Sequence, residues 1–252
     1  MLAECLIEAL KKKKKKRGME LNKIYNEDAL SFMKKMDDKS VNIIVTSPPY
    51  NLMGQYSDKS QMNQSFTDKR LTDWYDDKMD EKQYQEWQKE CLREMVRICD
   101  GSIFYVHQVR YAWGRKGEWY HPVHWLGEFV VWAEIIWNRG NGISAAKRPT
   151  MADQRIYMIN KPKVWNKPNC TSVWNIPSVR NSNHVCPFPE ELVEKCLSMC
   201  SNEGDIVFDP FIGIGTTAIV ANKMNRNFIG VEINQRVVER LAEHLGRTVH
   251  GP

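Results

Sequence analysis

The chain predicts an α/β fold, a mostly parallel sheet covered by helices on both faces. Three observations carry this. Short apolar runs rich in β-branched residues recur along the 252 residues, helical periodicity fills the intervals between them, and no internal repeat divides the chain. The length suits one α/β domain with excursions, and 42% hydrophobic with 27% charged residues is ordinary for a globular protein.

Taken in order, residues 28–36 suit a short helix with Leu30 and Met33 inward, and 37–40 turn into a strand at 42–46. Residues 51–79 are polar, anchored only by Trp74 and Tyr75, and predict a mobile loop. Tyr84, Trp87, Cys91, Leu92, Met95 and Ile98 fall three or four apart, which predicts a helix over 81–98. Asp100-Gly101 ends it, and 102–107 is the next strand. A helix over 124–128, a strand over 129–137 and a strand over 154–159 follow, the last stopped by Lys161-Pro162. Helices are expected at 192–200, 216–223 and 235–245, with strands at 205–208 and 227–231.

Composition excludes several classes. No apolar run approaches the roughly 20 residues a membrane span requires. The basic run 11–17 follows the apolar start instead of preceding it, which is the wrong order for a secretory signal. Residues 1–18 are expected to be a disordered basic extension, with an auxiliary nucleic-acid arm as the alternative. Seven cysteines are an odd and sparse set, expected to be reduced thiols in a cytoplasmic protein. Cys196 and Cys200 lack the further ligands of a metal site, and no metal is expected. His107, His121 and His124 form no familiar ligand spacing, and with Trp113, Trp119 and Trp125 they are read as packing residues.

Two distant segments carry chemistry. In the second, Asp209-Pro210-Phe211-Ile212-Gly213-Ile214-Gly215-Thr216-Thr217 leads from a strand through a glycine bend into a helix. Glycines there let a ligand approach the backbone. Glu232 lies 23 residues past Asp209, at the end of the next strand, where an acid can bind ribose hydroxyls. The full G-x-G-x-x-G pattern for a pyrophosphate is absent, and Asp209 would repel a diphosphate. A sulfonium nucleoside, S-adenosyl-L-methionine, fits better than a dinucleotide.

The first segment is Thr46-Ser47-Pro48-Pro49-Tyr50. Two prolines pre-set the turn and push Ser47 towards an extended conformation. Ser47 Oγ and a main-chain carbonyl can accept the hydrogens of an exocyclic amine, while Tyr50 offers a ring for a planar base. Pulling that nitrogen towards tetrahedral geometry exposes its lone pair, so rate comes from orientation and desolvation. Attack on carbon-5 of cytosine would need a thiolate presented as Pro-Cys, and Cys186-Pro187 has the reverse order.

With these segments and with His184-Val185-Cys186-Pro187-Phe188-Pro189-Glu190-Glu191-Leu192 and Phe228-Ile229-Gly230-Val231-Glu232-Ile233-Asn234, the chain resembles the DNA amino-methyltransferases acting on cytosine N4 or adenine N6. The catalytic segment precedes the cofactor segment, as in the permuted β class. The resemblance covers about residues 20–245. It implies a Rossmann-like S-adenosylmethionine-dependent methyltransferase fold, with a mostly parallel seven-stranded sheet and one antiparallel edge strand. It implies one methyltransferase domain over 19–252. Ser47, Pro48, Pro49 and Tyr50 would be catalytic. Asp209, Phe211, Gly213, Gly215 and Thr216 would line the methionine side of the cofactor pocket, Glu232 the ribose, Asp28 the adenine side, and Phe188 and Asn234 would lie close by. The target base would be flipped from the duplex and stacked on Tyr50. Serine before Pro48 resembles the cytosine-N4 branch more often, with adenine N6 as the alternative. Ile212, Ile214 and Val185 depart from the residues frequently seen there.

The resemblance places target recognition at 138–180. That interval holds Arg139, Lys147, Arg148, Arg155, Lys161, Lys163, Lys167 and Arg180 against the single acid Asp153, a stretch able to neutralise phosphates. Asn138, Asn141, Gln154, Asn166 and Asn169 are of a type that reads base edges. Double-stranded DNA is the expected partner, with a cognate restriction endonuclease, no membrane, and a monomer or weak homodimer. Two rivals remain: an N-methyltransferase acting on RNA or a small molecule, and a non-catalytic nucleic-acid-binding protein. The second leaves Glu232 and both glycines unexplained.

Overall fold

Burial of both sheet faces decides the order of elements. The computed structural model describes residues 19–51, 79–111, 119–145, 148–167, 170–179 and 188–245. The elements are β1 (Lys23–Asn26), α1 (Ala29–Met33), β2 (Ile43–Thr46), α2 (Glu81–Ile98), β3 (Ile103–His107), β4 (Arg110–Tyr111), β5 (Trp119–Tyr120), α3 (Val123–Leu126), β6 (Val131–Ala145) and β7 (Arg148–Ile159). They continue as β8 (Val173–Asn175), α4 (Glu190–Cys200), β9 (Ile206–Asp209), α5 (Thr216–Lys223), β10 (Asn227–Glu232) and α6 (Gln235–Leu245).

Eight strands form the main sheet in the order β1-β10-β9-β2-β3-β7-β6-β8, and β4 and β5 form a separate ribbon. Strand β2 shows why both faces are covered. Its side chains alternate, so Ile43 and Val45 join one core cluster while Ile44 joins the other. The first cluster takes in α4, α5 and part of α6; the second takes in α1, α2 and α3. No helix among the described residues is long and apolar enough to cross a membrane.

Two expectations about the sheet are corrected. It has eight strands instead of seven, and its one reversed strand is interior, not at the edge: β7 pairs antiparallel with both β3 and β6. The edge is β8, which pairs parallel with β6. The physical reason is a long β6–β7 hairpin whose polar distal part is held by cross-strand pairing instead of burial. Asn138 pairs with Asp153 and Ile143 with Met151, with register shifts between. Such a polar stretch lacks the apolar alternation by which a strand is read, so 138–145 looked like the start of an insert. Much of the 138–180 interval is therefore sheet. Short β1 and β8 were missed for the same lack of pattern.

Helix α2 was legible because its periodicity is complete. Asp80 caps it by accepting from the backbone N–H of Lys82 and Gln83. Its fully buried polar position is Gln88, while Trp87 is half-buried and sets its ring edge-on to Phe211 at 5.7 Å. The expected extension over 1–18 lies outside the described residues, as does all of the expected loop over 51–79 except its two end residues.

From β9 the chain crosses through α5 to β10, towards one edge. From β2 it crosses through α2 to β3, towards the other. The two helices lie on opposite faces. Adjacent β2 and β9 therefore form a topological switch point, and ligands bind beyond the carboxyl ends of strands at such a point. Those ends are Thr46 and Asp209.

Candidate active site

A buried carboxylate joins the two distant segments. Thr46 Oγ1 donates to Asp209 Oδ1 at 2.7 Å, Thr217 Oγ1 donates to Asp209 Oδ2 at 2.7 Å, and the Phe211 N–H donates to Asp209 Oδ1 at 3.1 Å. Asp209 is 2% exposed, and burial pushes its carboxyl up to about 6 against the three hydrogen bonds that oppose the rise. Asp209 thus works inside the fold, fastening the Ser47 turn to the glycine turn. Neither Thr46 nor Thr217 was singled out in the sequence; the available signal was a hydroxyl residue beside each motif.

Beyond Asp209 the chain bends through Gly213 at φ +50° and Gly215 at φ +84°, and Gly215 precedes α5. At Gly215 a Cβ would also meet Leu241 Cδ1 at 2.3 Å. Gly215→Ala is expected to destabilise the fold by about 1–3 kcal/mol through left-handed strain and this collision, measured by urea unfolding. Ile212 is accommodated because Gly230 carries no side chain; a Cβ there would lie 2.2 Å from Ile212 Cδ1. Half-buried Glu232 ends β10, accepting from Gly213 N–H at 3.2 Å and Asn234 N–H at 2.9 Å. Burial holds its carboxyl above the ordinary range. Asn234 Oδ1 accepts from Arg236 N–H at the start of α6. Asp28 caps α1 through Ser31 N–H, two residues past Asn26, which pairs with Glu232. Phe188 stands edge-on to Trp137 at 6.4 Å. A side-chain-free turn beside a braced carboxylate fits a nucleoside with an amino-acid tail.

The Thr46–Tyr50 segment rests on a buried polar network. Ser47 Oγ donates to Tyr50 Oη at 2.7 Å, and Tyr50 Oη donates to Gln154 Oε1 at 3.3 Å. The Tyr50 ring lies 4.5 Å from the His107 ring. Tyr84 Oη donates to the Pro49 carbonyl at 2.8 Å and also meets His107 Nε2 at 2.7 Å. Gln88 donates to Tyr84 Oη and accepts from Tyr105 Oη, which in turn accepts from Trp125 Nε1. His107 is completely buried, and desolvation followed by the Arg110 charge lowers it to about 3, so it is neutral. Arg110, also buried, forks onto Glu81 at 2.7 and 2.8 Å. Asn51, at φ +55°, accepts from the Met79 N–H at 2.7 Å and donates to the Met79 carbonyl at 2.9 Å. Gln88, Tyr84 and His107 were missed as site residues because each looks like core in a local pattern.

The expected DNA-contacting residues divide. Arg139 donates to the Met151 carbonyl in the hairpin, and Arg155, paired with Glu134 and Asp153, lies across from His107 at the catalytic end. Arg148 begins β7 on that same hairpin. Lys161, Lys163 and Lys167 follow the far end of β7; Lys163 pairs with Asp100 before β3. At about 3.3 Å per residue, Lys161 lies roughly 20 Å from Gln154. Lys147 and Arg180 lie outside the described residues. Among the described residues, the basic side chains of this interval therefore do not form one patch.

Comparison with known proteins agrees with this architecture. Residues 41–243 match the DNA methylase family, N6_N4_Mtase. The chain is 28% identical to the Type II methyltransferase M.BglII of Bacillus subtilis, over 87% of this chain and 67% of that protein. It is 27% identical to the DNA adenine methyltransferase YhdJ of Escherichia coli K12, over 88% and 82%. TTHA0409 of Thermus thermophilus, solved in complex with S-adenosyl-L-methionine, shares the fold with a TM-score of 0.64 and 24% identity, over 89% of this chain and 93% of that one. The chain belongs to the DNA methylase family and is a DNA-methylating enzyme.

Proposed function

We propose that the enzyme methylates the exocyclic N4 of a cytosine flipped out of duplex DNA. The observation that carries this reading is the Thr46–Asp209 contact, which sets Ser47 beside the glycine turn. S-adenosylmethionine supplies an electrophilic methyl on a sulfonium. Asp28, Phe188, Phe211, Gly213, Gly215, Thr216, Glu232 and Asn234 would hold it, with Glu232 on the ribose hydroxyls. Asp209 supports the turn from beneath.

The chain's own contribution is placement. Tyr50, backed by His107, stacks on the extruded base. Ser47 Oγ accepts one hydrogen of the amine. The Pro49 carbonyl is engaged by Tyr84, so the second acceptor is the Pro48 carbonyl. Holding both hydrogens withdraws the nitrogen lone pair from the ring and aims it at the methyl. Serine is a weak base, so the proton leaves after methylation, towards water. Arg139, on the distal hairpin, would approach the phosphates around the end of the sheet that carries Ser47, and Lys161, Lys163 and Lys167, at the far end of β7, would take no part.

Serine before Pro48 favours cytosine. The likeness to YhdJ favours adenine N6 as the second reading. Incubating duplex DNA of mixed sequence with labelled cofactor, then digesting it and separating the nucleosides, should give N4-methylcytosine. Label in N6-methyladenine alone would replace the first reading by the second.

A further inference from the structure

A serine hydroxyl carries one hydrogen and two acceptor lone pairs. That ambiguity matters at Ser47. If its hydrogen pointed at the target amine, it would bind the lone pair that must attack the methyl. The chain of bonds gives it a direction: Ser47 Oγ donates to Tyr50 Oη, and Tyr50 Oη donates to Gln154 Oε1. Gln154 sits on β7 opposite Trp137 and is only 4% exposed, so neighbouring strands fix its side chain.

We propose that Gln154 is a positioning residue that, through Tyr50, turns the Ser47 hydrogen away from the substrate, so that Ser47 meets the target amine as an acceptor only. A carboxylate at this position would need no such relay, because it has no hydrogen to misdirect. Tyr50 then has two duties, its ring for the base and its hydroxyl for Ser47. The inference rests on the reading of Ser47 as the acceptor for the amine.

The test is single-turnover methylation of duplex DNA by the full chain, with cofactor affinity and thermal unfolding measured on each variant. Gln154→Leu and Tyr50→Phe should each slow transfer about tenfold, the equivalent of one hydrogen bond, with cofactor affinity unchanged. The double variant should be no slower than the worse single one, because both changes break one relay. Gln154→Glu, which keeps an acceptor oxygen at the same place, should recover most of what Gln154→Leu loses. A Gln154→Leu enzyme at the wild-type rate, losses that multiply in the double variant, or a Gln154→Glu enzyme as slow as Gln154→Leu would each overturn the relay. If Gln154→Leu does not fold, Tyr50→Phe and Gln154→Glu decide the matter: a Tyr50→Phe enzyme at the wild-type rate, or a Gln154→Glu enzyme as slow as Tyr50→Phe, would overturn the relay. In each of these cases the wild type still methylates DNA, so the proposed function stands. A wild type that methylates no duplex removes both.

Discussion

Replacing Ser47 with alanine should lower the rate of methyl transfer by about 100-fold or more while leaving cofactor affinity unchanged. The two effects separate because of where Ser47 sits. It follows β2, whereas the glycine turn proposed to hold the cofactor follows β9, and the two meet through Thr46 and Asp209, not through Ser47. Alanine preserves the strand, the proline turn and the Tyr84 bond to the Pro49 carbonyl. It removes the side-chain acceptor, together with the Ser47 hydrogen bond to Tyr50 Oη. One hydrogen of the amine is then unheld, and the nitrogen stays planar, its lone pair shared with the ring. Single-turnover methylation beside equilibrium cofactor binding checks both halves. Transfer near the wild-type rate would remove Ser47 from the chemistry; loss of cofactor binding would make it a structural residue.

Asp209→Ala should be the most destabilising of the substitutions considered, by about 3–5 kcal/mol. It strands two buried threonine hydroxyls and the Phe211 N–H. It also unfastens the two turns, so transfer should fall along with stability. A pH dependence follows from the same burial. The Asp209 carboxyl is raised to about 6 from its ordinary 3.8, so the native state favours the protonated form. That contribution is complete below about 3.8 and is lost as pH rises through about 6, by about 3 kcal/mol in all. Asp209→Asn has no such titration. Urea unfolding of both proteins at acid and neutral pH should show the wild type losing this increment relative to Asp209→Asn. A constant difference across that range would mean that Asp209 is not buried as a carboxylate.

Much of the frame was legible in the residues. Ile43–Thr46 and Ile206–Asp209 are strands covered on both faces, so each appears as an uninterrupted apolar run. Helix α2 appears in full because its core positions keep a regular spacing and Asp80 marks its start. The distal hairpin was illegible, since its polar residues are held in strand geometry by a partner across the sheet. The basic interval 138–180 looked like one DNA-facing patch because charge was counted along the chain. In space, a reversed strand carries Lys161 and Lys163 to the opposite end from Arg139.

Sequence alone determined the chemistry on offer: a hydroxyl, two prolines and a tyrosine after one strand, and a glycine turn with a distant acid after another. Those are local properties, set by residue type, backbone restriction and the direction in which a strand leads into a helix. Only the tertiary structure decided who meets whom. Thr46 reaches Asp209 across 163 positions and Tyr50 reaches Gln154 across 104, because strand order and register bring them together. Register follows from how every side chain on two faces finds burial at once, a condition no single segment contains.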